Sequence, residues 1–91
     1  MDTILLGILL PLISMSRSVF NWKFSDVVDF LEKHNFRYAH TKGSHYFYVG
    51  RYGGTPRIVQ VPFHGSKCLK PRTFKAIVMQ SGIPLKIWLE K

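Results

Sequence analysis

From Lys33 to Leu89 the chain contains no aspartate or glutamate, while Lys33, Arg37, Lys42, Arg51, Arg57, Lys67, Lys70, Arg72, Lys75 and Lys86 all fall within that stretch. A region with no paired carboxylates is poorly suited to two-metal nuclease chemistry, and its uncompensated positive charge matches a polyanionic partner. Cysteine is nearly absent. Cys68 stands alone, which excludes an internal disulfide framework and leaves a zinc site without its usual thiolates. A reducing, cytoplasmic setting fits that usage, and Cys68 reads as a small apolar filler beside Leu69 rather than as a nucleophile. No phosphate-cradling P-loop, metal-binding spacing, internal repeat or low-complexity segment is visible, so neither a cofactor nor a metal is called for.

Long apolar runs are also lacking. Ile4 to Ile13 is interrupted by Gly7 and Pro11, is about half the length of a bilayer span, and follows Asp2 rather than a basic segment. It makes a poor signal peptide. Three readings stay open for it: a weak hydrophobic anchor, an arm that packs on the domain or a partner, and an extension the fold does not need, with Met15 able to serve as a second start. The expected division is a hydrophobic, dispensable extension over 1–23 and a domain over 24–91. Membrane contact is not expected.

What is present describes one small folded domain. Ninety-one residues at net charge +8 with 46% hydrophobic and 14% aromatic content are too apolar for a disordered basic tail. A chain of this length buries only roughly 60% of its unfolded surface, so the core is modest. Ser25 suits a helix N-cap, with Asp26 and Asp29 complementing the helix dipole. Val27, Phe30, Leu31 and His34 recur at helical spacing up to Asn35, a left-handed terminator, which predicts a helix from Ser25 to His34. Phe36, Tyr38 and His40 then alternate with Arg37, Ala39 and Thr41 as a strand does, up to a break at Gly43. A second strand is predicted over Ser44 to Val49, a hairpin loop over Gly50 to Pro56, and a third strand over Arg57 to Val61. After a loop from Pro62 to Leu69, Pro71 opens a second amphipathic helix, carrying Phe74, Ile77 and Val78 and closed by Gly82. A short final helical turn starting at Pro84 packs Trp88 onto the domain. The layout helix, three strands, helix is α+β, with two helices on one face of a three-stranded antiparallel sheet and the other face free for a ligand.

The chemistry concentrates at Lys42-Gly43-Ser44-His45. An imidazole can exchange a proton near neutrality, and His45 heads a strand, grouped by alternation with Phe47 and Val49 at the rim where the buried face opens. RNA carries its own nucleophile, the 2′-hydroxyl. Cleavage then needs a base for that hydroxyl, an acid for the leaving 5′-oxygen, and cations for the charge developing on phosphorus. Gly43 permits close approach to a phosphate, Ser44 can donate a hydrogen bond, and Lys42 can hold the substrate. His64, in the Pro62-Phe63-His64-Gly65 loop, is a secondary acid–base or substrate contact, or a loop-organising hydrogen bonder. Lys67, Lys70, Arg72 and Lys75 cluster at the start of the second helix, where exposed amides favour anions, and are expected to line a phosphate track. Tyr46, Tyr48 and Tyr52 are placed either to stack on bases or to pack on the sheet. His34 and His40 have no special duty on sequence grounds, and Asp26, Asp29 and Glu32 read as a solvated helix surface.

Two segments taken together resemble the HicA-type toxins of toxin–antitoxin modules. The first is Lys42-Gly43-Ser44-His45 following the helix. The second is Val61-Pro62-Phe63-His64-Gly65-Ser66-Lys67-Cys68-Leu69-Lys70-Pro71-Arg72-Thr73-Phe74-Lys75-Ala76-Ile77, continuing to Gln80-Ser81-Gly82-Ile83. The likeness covers about Phe24 to Glu90 and leaves the hydrophobic beginning unmatched. Many relatives have an acidic residue where this chain has Cys68, and a second histidine or an aliphatic residue where it has Tyr46. The resemblance implies a double-stranded-RNA-binding-domain-like fold, α-β-β-β-α, and a metal-independent mRNA interferase that inhibits growth. By position it implies His45 as the catalytic residue, and it implies a HicB-type antitoxin as partner alongside mRNA. The alternative from another class is a non-catalytic RNA-binding module of the same fold.

Overall fold

The computed structural model describes residues 18–90. Along the chain these form helix α1 (Phe24–Lys33), strands β1 (Arg37–Lys42), β2 (His45–Tyr52) and β3 (Thr55–Pro62), helix α2 (Pro71–Ser81) and the short helix α3 (Leu85–Leu89). The strands make one antiparallel sheet in the order β1-β2-β3, so the α+β arrangement expected from the sequence is the one observed. The apolar run Ile4 to Ile13 and Met15 lie outside the described residues. No helix among the described residues is long and apolar enough to cross a membrane.

Helix α1 begins earlier than Ser25. The N-cap is Lys23, whose backbone N–H donates to the Asp26 carboxylate at 2.9 Å. A carboxylate at the third helical position reaches back to satisfy an N–H that the helix leaves unpaired, which draws Phe24 and Ser25 into the first turn. The helix closes as Asn35 takes φ 66° and the Phe36 N–H returns to the Leu31 carbonyl at 2.9 Å. That left-handed closure turns Phe36 down into the core, where it is 2% exposed.

Both hairpin turns are two residues long. Lys42 pairs with His45 across Gly43-Ser44, with φ 61° at Gly43 only, the pattern of a type II′ turn. Tyr52 pairs with Thr55 across Gly53-Gly54, both at positive φ as a type I′ turn requires. The loop expected over Gly50 to Pro56 is therefore much shorter, because β2 continues through Gly50 to Tyr52 and β3 starts at Thr55. Gly50 lies beneath the Phe36 ring, where a Cβ would come within 2.6 Å of Cγ. Its missing side chain reflects a close ring–backbone approach rather than a turn.

The two helices cover one face of the sheet. Val27 and Leu31 of α1, Phe74, Ile77 and Val78 of α2, and Tyr48, Val59 and Val61 of the sheet are buried together. Trp88 closes this core, stacked on Phe30 at 3.8 Å and edge-on to Trp22 and Phe74. Trp22, itself 3% exposed, stacks on Phe74, and its carbonyl accepts from the Leu69 N–H at 2.7 Å. The packed unit thus takes in Trp22 and Lys23, upstream of residue 24. Leu69 is buried, but its neighbour Cys68 is exposed, so the thiol is not the core filler expected.

The sheet's two edges differ. Along β3, α2 covers the edge, and Gln80 Oε1 accepts from the Gln60 backbone N–H at 2.7 Å. All six residues of β1 are exposed. This free edge carries Arg37, Lys42 and a bulge at Ala39, devices that discourage strand-to-strand association.

Candidate functional site

Cross-strand register sorts the sheet's side chains by face. Tyr46 opposite Val61, and Tyr48 opposite Val59, point toward the helices. His45 opposite Pro62, Phe47 opposite Gln60, and Val49 opposite Ile58 point the other way, onto the face opposite the described helices. The expected grouping of His45, Phe47 and Val49 holds, but the face they share is the open one. His45 itself is exposed.

The bulge in β1 changes what joins them. Regular alternation puts Phe36, Tyr38 and His40 on one side. Instead the register slips at Ala39, so that Tyr38 pairs with Tyr48 while His40 pairs with Phe47. Tyr38 stays on the helix side, within ring contact of Tyr46 and Tyr48, and its hydroxyl hydrogen-bonds Thr41 Oγ1 at 2.7 Å. His40 crosses to the open face and stacks flat on Phe47, with centroids 4.4 Å apart and planes 8° from parallel.

His45 is fixed by the turn that precedes it and by the chain that passes alongside. The Phe63 N–H donates to the Ser44 carbonyl at 2.8 Å, prolonging the β2–β3 ladder one step beyond the His45–Pro62 pair. His64 follows immediately, and its carbonyl accepts from the Lys67 N–H at 3.2 Å, closing a tight turn. A groove of about 460 Å³ results, lined by Ser44, His45, Gln60, Pro62 and His64 from the sheet end and by Arg72, Thr73, Ala76, Ile77 and Gln80 from α2. Two imidazoles, a guanidinium, two hydroxyls and two carboxamides share it. That set can move protons and hold an anion.

Of the residues singled out from the sequence, the groove brings together Ser44, His45, His64 and Arg72. Lys42 is His45's cross-strand partner at the turn, beside Gly43. Lys70 is the N-cap of α2 and shares a second hollow with Pro71, Arg72 and Thr73, so Arg72 and Thr73 join the two depressions. Lys67 and Lys75 are exposed nearby, outside the groove lining. Tyr46 and Tyr48 are not placed to meet bases. Tyr46 packs edge-on against Phe24 and lies beside Phe63, and Tyr48 is 5% exposed, with burial pushing its hydroxyl pKa up and the Glu32 carboxylate adding to the rise. Tyr52 also packs against the core. His34 ends α1, its Nδ1 within 2.9 Å of the Phe30 carbonyl and its ring stacked on Phe30.

Gln60, Thr73, Ala76 and Gln80 were not anticipated. A signal existed for three of the lining positions, because Arg72, Ala76 and Gln80 recur every four residues as a stripe of small or polar exposed residues on α2, apart from buried Phe74, Ile77 and Val78. Among the described residues no three His, Cys, Asp or Glu side chains are grouped so as to hold a metal ion.

A family model described as the HicA toxin of bacterial toxin–antitoxin matches residues 24–83, more than half of the 91-residue chain. No curated protein matches it.

Proposed function

The chain belongs to the HicA toxin family of bacterial toxin–antitoxin systems, and from that premise we propose that it is a metal-independent endoribonuclease that cleaves mRNA with His45 as its acid–base group. The observation that carries this reading is His45's position, exposed at a groove it shares with His64 and Arg72. His45 takes the proton of a ribose 2′-hydroxyl. The freed oxygen forms a bond to the adjacent phosphorus, and the bond from phosphorus to the 5′-oxygen breaks. The departing oxygen leaves as a 5′-hydroxyl, with His64 in the groove supplying its proton, and the other product ends in a 2′,3′-cyclic phosphate. Arg72 stabilises the charge that builds on the phosphoryl oxygens, assisted by Lys42, Lys67, Lys70 and Lys75 around the groove and the start of α2. Because the nucleophile belongs to the substrate, the step requires no metal-activated water.

As a toxin of a two-component module the protein has an antitoxin. We assign it a HicB-type partner whose acidic surface covers the basic groove and shields His45, consistent with the absence of acidic residues from Lys33 to Leu89.

The test is His45→Ala. Loss of one acid–base group removes roughly 100- to 10,000-fold of rate, so cleavage and growth inhibition are expected to vanish while the thermal melt barely moves, His45 being exposed. Parental RNA products formed in the presence of chelator are expected to end in 2′,3′-cyclic phosphate. A variant that cleaves at the parental rate sinks the His45 assignment. A parental chain that binds RNA and leaves it intact sinks the nuclease reading in favour of a binding module.

A further inference from the structure

We propose that the open face of the sheet is a platform for the bases of single-stranded RNA, with a base stacking on the His40–Phe47 pair next to His45. This rests on the RNA-directed reading above and extends it to how the substrate is held. The register lays the open face out in rows, each a step of two residues, or about 6.8 Å, along the strands. Lys42, His45 and Pro62 make the row at the groove, His40, Phe47 and Gln60 the next, and Arg37, Val49 and Ile58 the third. The sequence therefore runs from proton-transfer group, to aromatic pair, to apolar floor with a flanking guanidinium.

Three features favour this occupant. First, the bulge at Ala39 delivers His40 onto this face, where the two rings form a ready-made stack. Because β1 is the edge strand among the described residues, none of the described strands lies beyond the far side of the His40 ring. Stacking on aromatic side chains is sequence-tolerant and is the way a β-sheet surface engages unpaired bases. Secondly, Ile58 is left 63% exposed, a large apolar side chain unfavourable to water and suited to a base. Thirdly, the face is continuous with the groove, since Gln60 belongs to the aromatic row while lining the depression that holds His45. A duplex is a poor fit, because it keeps its bases stacked inside and offers backbone and 2′-hydroxyls instead.

The experiment uses the full chain carrying His45→Ala, so that RNA is not consumed, with a fluorescent single-stranded oligoribonucleotide and the same sequence in a duplex. His40→Ala and Phe47→Leu, the latter keeping apolar bulk while removing the ring, are each expected to weaken single-strand binding roughly fivefold to a hundredfold. The slope of log affinity against log salt is expected to stay unchanged, because no phosphate contact is lost. Arg37→Ala, the guanidinium flanking the third row of the same face, should reduce that slope by about one. Binding within twofold of the parent in both ring variants overturns the platform, as does a duplex bound as tightly as the single strand. Ring variants that spare RNA binding but weaken capture of a HicB-type antitoxin also overturn it, marking a protein interface. Failure of the parental chain to cleave, with the ring variants still losing RNA binding, sinks the nuclease reading and upholds the platform.

Discussion

The two faces of one small sheet are built to opposite rules. On the helix side, Tyr46, Tyr48, Val59 and Val61 meet a layer of aromatic and aliphatic side chains, and Tyr48, Val59 and Val61 are left essentially dry. On the other side, separated from the first by a single residue step, His40, Phe47 and Ile58 are covered by none of the described elements, and His45 and Gln60 meet α2 only along the groove at the β3 edge. Burial on the first face supplies most of what holds a domain of this size together, at about 25 cal/mol per Å² of apolar surface removed from water. The second face contributes little, which frees it to carry rings and charges a core would reject. The proposed function is thus placed where stability is least invested.

The contrast breaks most visibly at Trp88. It is wholly buried and touches Trp22, Phe30 and Phe74, so Trp88→Ala is expected to cost about 3–5 kcal/mol. Domains of this size are stable by only about 5–15 kcal/mol, so the variant should be largely unfolded or melt far below the parent. Ile58→Ala on the open face should stay within about 0.5 kcal/mol. Urea denaturation of the two side by side checks this, and equal costs would show that the open face is not the weakly stabilising surface described above.

A smaller effect sharpens the boundary between the faces. Gly50 has no side chain because the Phe36 ring occupies its helix-side space. Gly50→Ala must push that ring aside and is expected to cost about 1–3 kcal/mol, in line with overpacked cores. Phe36→Leu on the Gly50→Ala background should recover part of the loss if the ring is the cause. An additive double variant would argue against that close approach.

How much of this was legible beforehand follows from how local each signal is. Asn35 and Gly82 as helix terminators, Gly53-Gly54 as a hairpin, and Trp88 as a core anchor each depend on a few neighbouring residues and can be read directly. The Lys42-Gly43-Ser44-His45 turn is of the same kind, and His64 comes to His45 simply because the ladder continues from Pro62 to Phe63. The bulge at Ala39 was not legible, since alternation assigns one residue per step and cannot register an extra one. For that reason alternation groups His40 with Phe36 and Tyr38, whereas the extra residue turns it to the opposite face. Gly50 read as loop because its partner, Phe36, is distant in sequence. Trp22 reads as extension because the contacts that tie it down, the Leu69 backbone and the aromatic cluster among them, come from residues distant in sequence. The α2 wall of the groove needed the packing of α2 along the β3 edge, a tertiary fact that neither segment announces.

The finest test of the two-face picture is chemical. Tyr48 is the tyrosine driven deepest into the helix side, and desolvation first, then the Glu32 carboxylate, raise its pKa above the usual value near 10. The folded state therefore holds the phenolic proton more tightly than the unfolded chain does. The stability this contributes is fully present below about pH 10 and is lost as pH rises through the elevated folded value. Tyr48→Phe removes the group that titrates while keeping the ring, so the variant should lose less stability than the parent between pH 9 and pH 11. The two proteins differ at this one group, so the difference between their profiles reports it. An absorbance titration of the phenolates gives an independent reading, in which a phenol ionising above the usual value near 10 should be missing from the variant. Identical alkaline profiles would mean that water reaches Tyr48, and that the covered face is less dry than its packing implies.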